Sequence, residues 1–179
     1  MAYIPNYPGG WQTGAGGGTP ITAATLDQIE TQHDKAVLEI TREIFAVPFD
    51  GTDLTVSGHR INAPADNAAV RLLVPQDFTA ETSIEIVFRT IGGGASMHFD
   101  FTTYWGAYDG GEQYNVHTEN AAARDIGATV AGEYNNHDIS DLVNVAPLAA
   151  GDVLYVLVLY DAAVVASNAY VTGLRLKYT

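Results

Sequence analysis

Ser83-Ile84-Glu85-Ile86-Val87-Phe88-Arg89-Thr90, then Gly92-Gly93-Gly94, then Met97-His98-Phe99-Asp100-Phe101-Thr102-Thr103, is the stretch on which the reading of the fold turns. Ile84, Ile86 and Phe88 alternate with Glu85, Val87 and Arg89. Met97, Phe99, Phe101 and Thr103 alternate with His98, Asp100 and Thr102. Successive strand side chains point to opposite faces, so a period of two marks a half-buried strand. The glycines read as a turn, and the two runs read as a hairpin.

Working outward, the same period recurs. Val70, Leu72 and Val74 alternate before Pro75, and shorter strands are expected around Tyr114–Thr118 and Ile126–Val130. Val153-Leu154-Tyr155-Val156-Leu157-Val158-Leu159-Tyr160 is apolar on both faces. That predicts either a central strand or one covered by a second subunit. The last run is expected to place Tyr170, Thr172, Leu174, Leu176 and Tyr178 on one face, with Arg175 and Lys177 on the other. Seven or eight short strands separated by turns predict a mainly β chain, with an antiparallel β-sandwich of jelly-roll type over residues 48–179.

Upstream of Pro48 the pattern is different. Leu26, Ile29, His33, Ala36 and Ile40 follow spacings of three and four, the seam of a self-associating helix expected over residues 22–47. Thr25 and Gln28 fit a capping box, and Asp27 and Glu30 suit the first turns. Ala36 and His33 make the seam thin, so such a helix needs a partner. Residues 1–21 have no regular period and read as an extended attachment arm. Tyr3, Ile4, Tyr7 and Trp11 are its large apolar side chains, and they are the expected anchors on a partner.

Charge and composition exclude several functions. The 21 acidic residues against 8 basic ones give a formal net charge of −13. That balance argues against nucleic acid and against an anionic membrane surface, since both are bound through Lys and Arg. With no cysteine, disulfides, thiolate metal sites and Cys nucleophiles are excluded. The N-terminus carries no basic segment followed by an apolar run, so export by a signal peptide is not expected.

Catalytic motifs are missing as well. There is no Gly-x-Ser-x-Gly, and the glycine clusters lack the Gly-Lys-Ser/Thr of a phosphate loop. No catalytic residue, metal site or cofactor is expected. The five histidines show no paired ligand spacing; His137, with Asn135, Asn136, Asp138 and Asp141, reads as an exposed polar turn rather than a Ca²⁺ loop. In the segment from Tyr104 to Gly111, Tyr104, Trp105 and Tyr108 could stack on a sugar ring, the alternative being loop packing or a subunit contact.

The two ends of the chain carry a resemblance. Gly18-Thr19-Pro20-Ile21-Thr22-Ala23-Ala24-Thr25-Leu26-Asp27-Gln28-Ile29-Glu30 resembles an N-terminal motif of bacteriophage virion proteins, notably tail- and head-fibre subunits. Ala150–Val156 with Ala169–Tyr178 is similar to the closing strands of jelly-roll domains in the same class. The resemblance implies a homotrimeric structural protein at the virion surface, made in the host cytoplasm, with its N-terminus toward the particle. The partners implied are the major capsid protein or a collar or tail protein, besides further copies of itself. No shaft repeat follows the helix, which favours a capsid decoration or head-fibre protein. The alternatives are a tail-fibre or receptor-binding component touching a host-surface glycan, or a carbohydrate-binding module.

Overall fold

The computed structural model describes residues 27–33, 41–51, 54–55, 58–63, 66–90, 92, 97–108, 113, 115–161 and 169–179. The anchors Tyr3, Ile4, Tyr7 and Trp11, with Leu26, Ala36 and Ile40 of the helical seam, lie outside them. Contacts divide the chain into residues 1–40 and residues 41–179. In the first unit residues 27–33 are α-helical. There the Thr31 hydroxyl donates back to the Asp27 carbonyl at 2.7 Å, and the seam residues Ile29 and His33 are exposed.

The second unit is two packed antiparallel sheets. The first sheet runs in the order β3 (Leu54–Thr55), β4 (Gly58–Ile61), β11 (Ala169–Tyr178), β6 (Glu81–Thr90), β9 (Tyr134–Asp138), with β1 (Arg42–Ala46) also on β11. The second runs β2 (Pro48–Gly51), β5 (Asn67–Leu73), β10 (Asp152–Tyr160), β7 (His98–Ala107), β8 (His117–Asp125). The orders 4-11-6-9 and 5-10-7-8 are those of an eight-stranded jelly roll, in which consecutive strands alternate between the two sheets except for β7 and β8, which pair with each other. The expected sandwich is therefore present.

The expected hairpin is not. β6 and β7 both form where the alternation placed them, but β6 pairs with β11 and β9 while β7 pairs with β10 and β8. The chain between them crosses from one sheet to the other. Both runs bury their apolar side chains in the same core, and Phe88 meets Phe99 edge to face, with ring centroids 6.0 Å apart. A period of two reports which face is buried, not which strand lies alongside. Around this pair, Ile84, Ile86, Phe101, Leu154, Leu174 and Leu176 are fully buried.

Further expectations fail locally: residues 126–130 form no strand, and Asn135, Asn136, His137 and Asp138, read as an exposed turn, lie in β9. Residues 42–46, expected as the end of the helix, are strand β1, with Ile44 opposite Leu176 and Phe45 opposite Arg175. A thin helical seam loses to a cross-strand ladder that brings Ile44 against the core. In β11 the parity changes at Gly173. Leu174, Leu176 and Tyr178 point inward, but Tyr170 and Thr172 lie on the outer face, while Ala169 and Val171 are buried. The register against β6 slips between Val171 and Gly173, and a one-residue slip moves every later side chain to the other face. A Cβ on Gly173 would fall against the Phe45 ring and 2.6 Å from the Ala46 carbonyl oxygen, so β1 can cross here only over glycine.

Candidate functional site

The outer face of the second sheet holds the candidate site. β10 lies at its centre, and the residues between its buried Leu154, Val156 and Val158 point outward: Val153, Tyr155, Leu157 and Leu159. All four are only half-buried. Register places Tyr155 between Arg71 on β5 and Tyr104 on β7, and Val153 between Leu73 and Gly106. The result is a cleft of about 900 Å³ floored by β10.

Three rings cross this floor. Phe49 of β2 meets Tyr155 edge to face at 5.6 Å, and Tyr155 meets Tyr104 at 5.8 Å. The Arg71 guanidinium lies 5.1 Å from the centre of the Phe49 ring. Edge-to-face pairs of this kind contribute about 0.5–1.5 kcal/mol beyond their burial, so the row is pre-arranged. Tyr108 stands at the margin, 77% exposed, while Phe49 and Leu73 are 50% and 53% exposed. Gly106 lets Gln113 approach closely: a Cβ there would lie 2.7 Å from the Gln113 carbonyl oxygen.

Tyr104, Trp105 and Tyr108, three rings that could have stacked together on a sugar, do not share one face. Residues 104–107 belong to β7, so Tyr104 and Trp105 point to opposite faces. Trp105 is fully buried in the core, its ring 5.5 Å from that of His117. Tyr104 and Tyr108 do line one cleft. Sequence reasoning singled out Val153–Tyr160 but missed Phe49, Arg71 and Leu73. The signal for the last two was available in the residues that alternate with Val70, Leu72 and Val74.

The outer face of the first sheet is built from charge. Glu85 accepts from Lys177 at 2.9 Å, from Ser83 at 3.0 Å and from Arg175 at 3.3 Å, and Arg175 also faces Glu43 at 3.4 Å. Burial raises the Glu85 carboxyl, but the Lys177 and Ser83 hydrogen bonds and the Lys177 and Arg175 charges outweigh it. The group titrates below its ordinary value.

No protein-family model matches the chain, and no curated protein matches it. Among solved structures it is similar to a carbohydrate-binding module, CBM36, in complex with calcium and xylotriose. That likeness has a TM-score of 0.36 at 12% identity and covers 75% of this chain and 98% of that one.

Proposed function

We propose that the protein is a non-enzymatic virion structural protein, a homotrimer in which the outer face of the second sheet is buried between copies. The observation that carries this reading is the row Val153, Tyr155 and Leu157 on β10, flanked by Phe49, Leu73 and Tyr104. It is a mainly apolar surface, interrupted by Arg71, on a strand already central in its own sheet. Surfaces of this kind mark association sites more often than they are left to water. The virion assignment and the decoration or head-fibre role rest on the resemblance of residues 18–30 to phage virion proteins, and anchoring through the N-terminal arm and helix rests on the large apolar side chains Tyr3, Ile4, Tyr7 and Trp11.

The cleft's chemistry favours a protein surface over a sugar as occupant. Sugar recognition calls for placed polar groups around an open ring face. Here the floor is built of aliphatic side chains and rings, and Tyr155 is held edge to face with the rings on either side of it. A glycan contact at Tyr108 and Tyr104 is the second reading, favoured by the 77% exposure of Tyr108 at the margin.

Light scattering on the full chain at micromolar concentration tests the first reading, with the mass of three chains expected. Mass spectrometry and antibody labelling of purified source particles are expected to find the protein on their surface. A monodisperse monomer, or absence from the particles, overturns it. Retention of a labelled glycan that is lost in Tyr108→Ala would move the assignment to the second reading.

A further inference from the structure

A separate feature lies on the far edge of the sandwich, where β8 ends one sheet and β9 ends the other. Arg124 of β8 bridges that edge. Its Nε donates to His137 Nε2 at 3.0 Å, Nη1 donates to Asp141 Oδ2 at 2.6 Å, and Nη2 donates to the Asp138 carbonyl oxygen at 3.2 Å. His137 is half-buried on β9, opposite the core residue Ile86. Its ring lies nearly parallel to that of Phe101, at 14° and 6.2 Å between centroids.

A guanidinium only donates, and it keeps its proton throughout the accessible pH range. The imidazole nitrogen that faces it must therefore offer a lone pair, which an imidazolium lacks. Protonating His137 removes the acceptor and sets two cations side by side. We propose that the Arg124–His137 contact is a proton-operated latch, closed while the imidazole is neutral and released when it takes up a proton, so that the β8–β9 edge loosens.

Groups on every neighbouring element bear on the balance. Burial and the Arg124 charge disfavour the proton, while Asp138 on the same strand, Asp141 on the following 3₁₀ turn and Asp125 on β8 favour it. The net displacement is downward. Ile86 of β6 and Phe101 of β7 bring only apolar surface. All three carboxylates are already engaged: Asp138 Oδ1 accepts from the Ser140 backbone N–H at 2.8 Å and from its hydroxyl at 2.6 Å, Asp141 accepts from Arg124, and Asp125 Oδ1 accepts from the Gly127 backbone N–H at 2.8 Å.

A folded value below the unfolded one fixes the sign. The contact contributes its full stability above the unfolded imidazole value, about 6.5. That contribution is lost as pH falls from there through the folded value. The window opens before ordinary carboxylates, near about 4, begin to titrate.

Two measurements on the full chain test the latch. Backbone amide exchange in residues 117–125 and 134–138, corrected for intrinsic chemistry, is expected to be several-fold faster at pH 5.5 than at pH 7.5. In His137→Gln the side-chain oxygen still accepts from Arg124 but takes no proton, so the pH response should disappear. An NMR titration of the wild-type His137 ring gives a reading that does not depend on the variant folding. Titration at or above the ordinary imidazole value, or an undiminished pH response in His137→Gln, would overturn the proposal.

Discussion

The two outer faces of this sandwich are made by the same backbone geometry and end in opposite chemistry. On the first sheet, Glu85 gathers Lys177, Arg175 and Ser83 into one network, and Arg89 lies 5.4 Å from the centre of the Tyr170 ring. On the second, the positions flanking the central strand are Phe49, Tyr104 and Leu73, with Arg71 the cation on that floor. An antiparallel sheet can face water on one side only when that side is polar. The charged face meets that condition within one chain. The aromatic face does not, and that difference is what points to a covered surface there.

The largest expected effect comes from placing a charge at the centre of the apolar face. Leu157→Glu should weaken the proposed self-association by at least about 100-fold, because an unpaired carboxylate would have to be buried in each contact. Sedimentation velocity should then show monomer, with the circular dichroism of the wild type. Lys177→Glu, on the opposite face, should leave the proposed oligomer intact. If both substitutions dissociate it, the contrast between the faces is wrong.

Glu85→Gln should destabilise the fold by about 1–3 kcal/mol in urea unfolding, since Lys177 and Arg175 lose the carboxylate that both of them face. The same variant sharpens the pH dependence. Glu85 titrates below its ordinary value, and so does Asp141, first because it accepts from Arg124, with the Arg124 charge adding to the effect. Each contributes stability that is present above its unfolded value and lost as pH falls through its folded value. The thermal midpoint should therefore drop on acidification, and drop less steeply in Glu85→Gln.

Gly173→Ala should cost about 1–3 kcal/mol by the same assay, because the added carbon meets backbone as well as the Phe45 ring. The smallest effect belongs to Tyr108→Ala, expected within about 0.5 kcal/mol of wild type, as an exposed side chain at the margin should give. A loss of more than 2 kcal/mol there would mean that Tyr108 is structural.

Much of the fold was legible locally. Ile84, Ile86 and Phe88 face inward as their alternation required, and so do Phe99, Phe101 and Thr103, because burial imposes its period on each strand separately. The site was legible only in part. Val153–Tyr160 announced itself by being apolar on both faces. Trp105 misled, because aromatic composition does not say which side of a strand a ring occupies. Arg71 and Phe49 could be placed near Tyr155 only by knowing that β5 lies next to β10 and β2 next to β5.

By itself the sequence determined that this chain is a strand-built, acidic, cysteine-free protein with a doubly apolar strand near its end. Those properties follow from side-chain chemistry and from periods of a few residues, which need no partner to be read. Only the tertiary structure decided that β6 and β7 face each other across the core instead of pairing, that residues 42–46 join a sheet, and that β11 changes parity at Gly173. Each of those outcomes depends on which distant segment supplies hydrogen bonds and apolar contact, and pairing over a hundred residues leaves no local trace in the residues that undergo it.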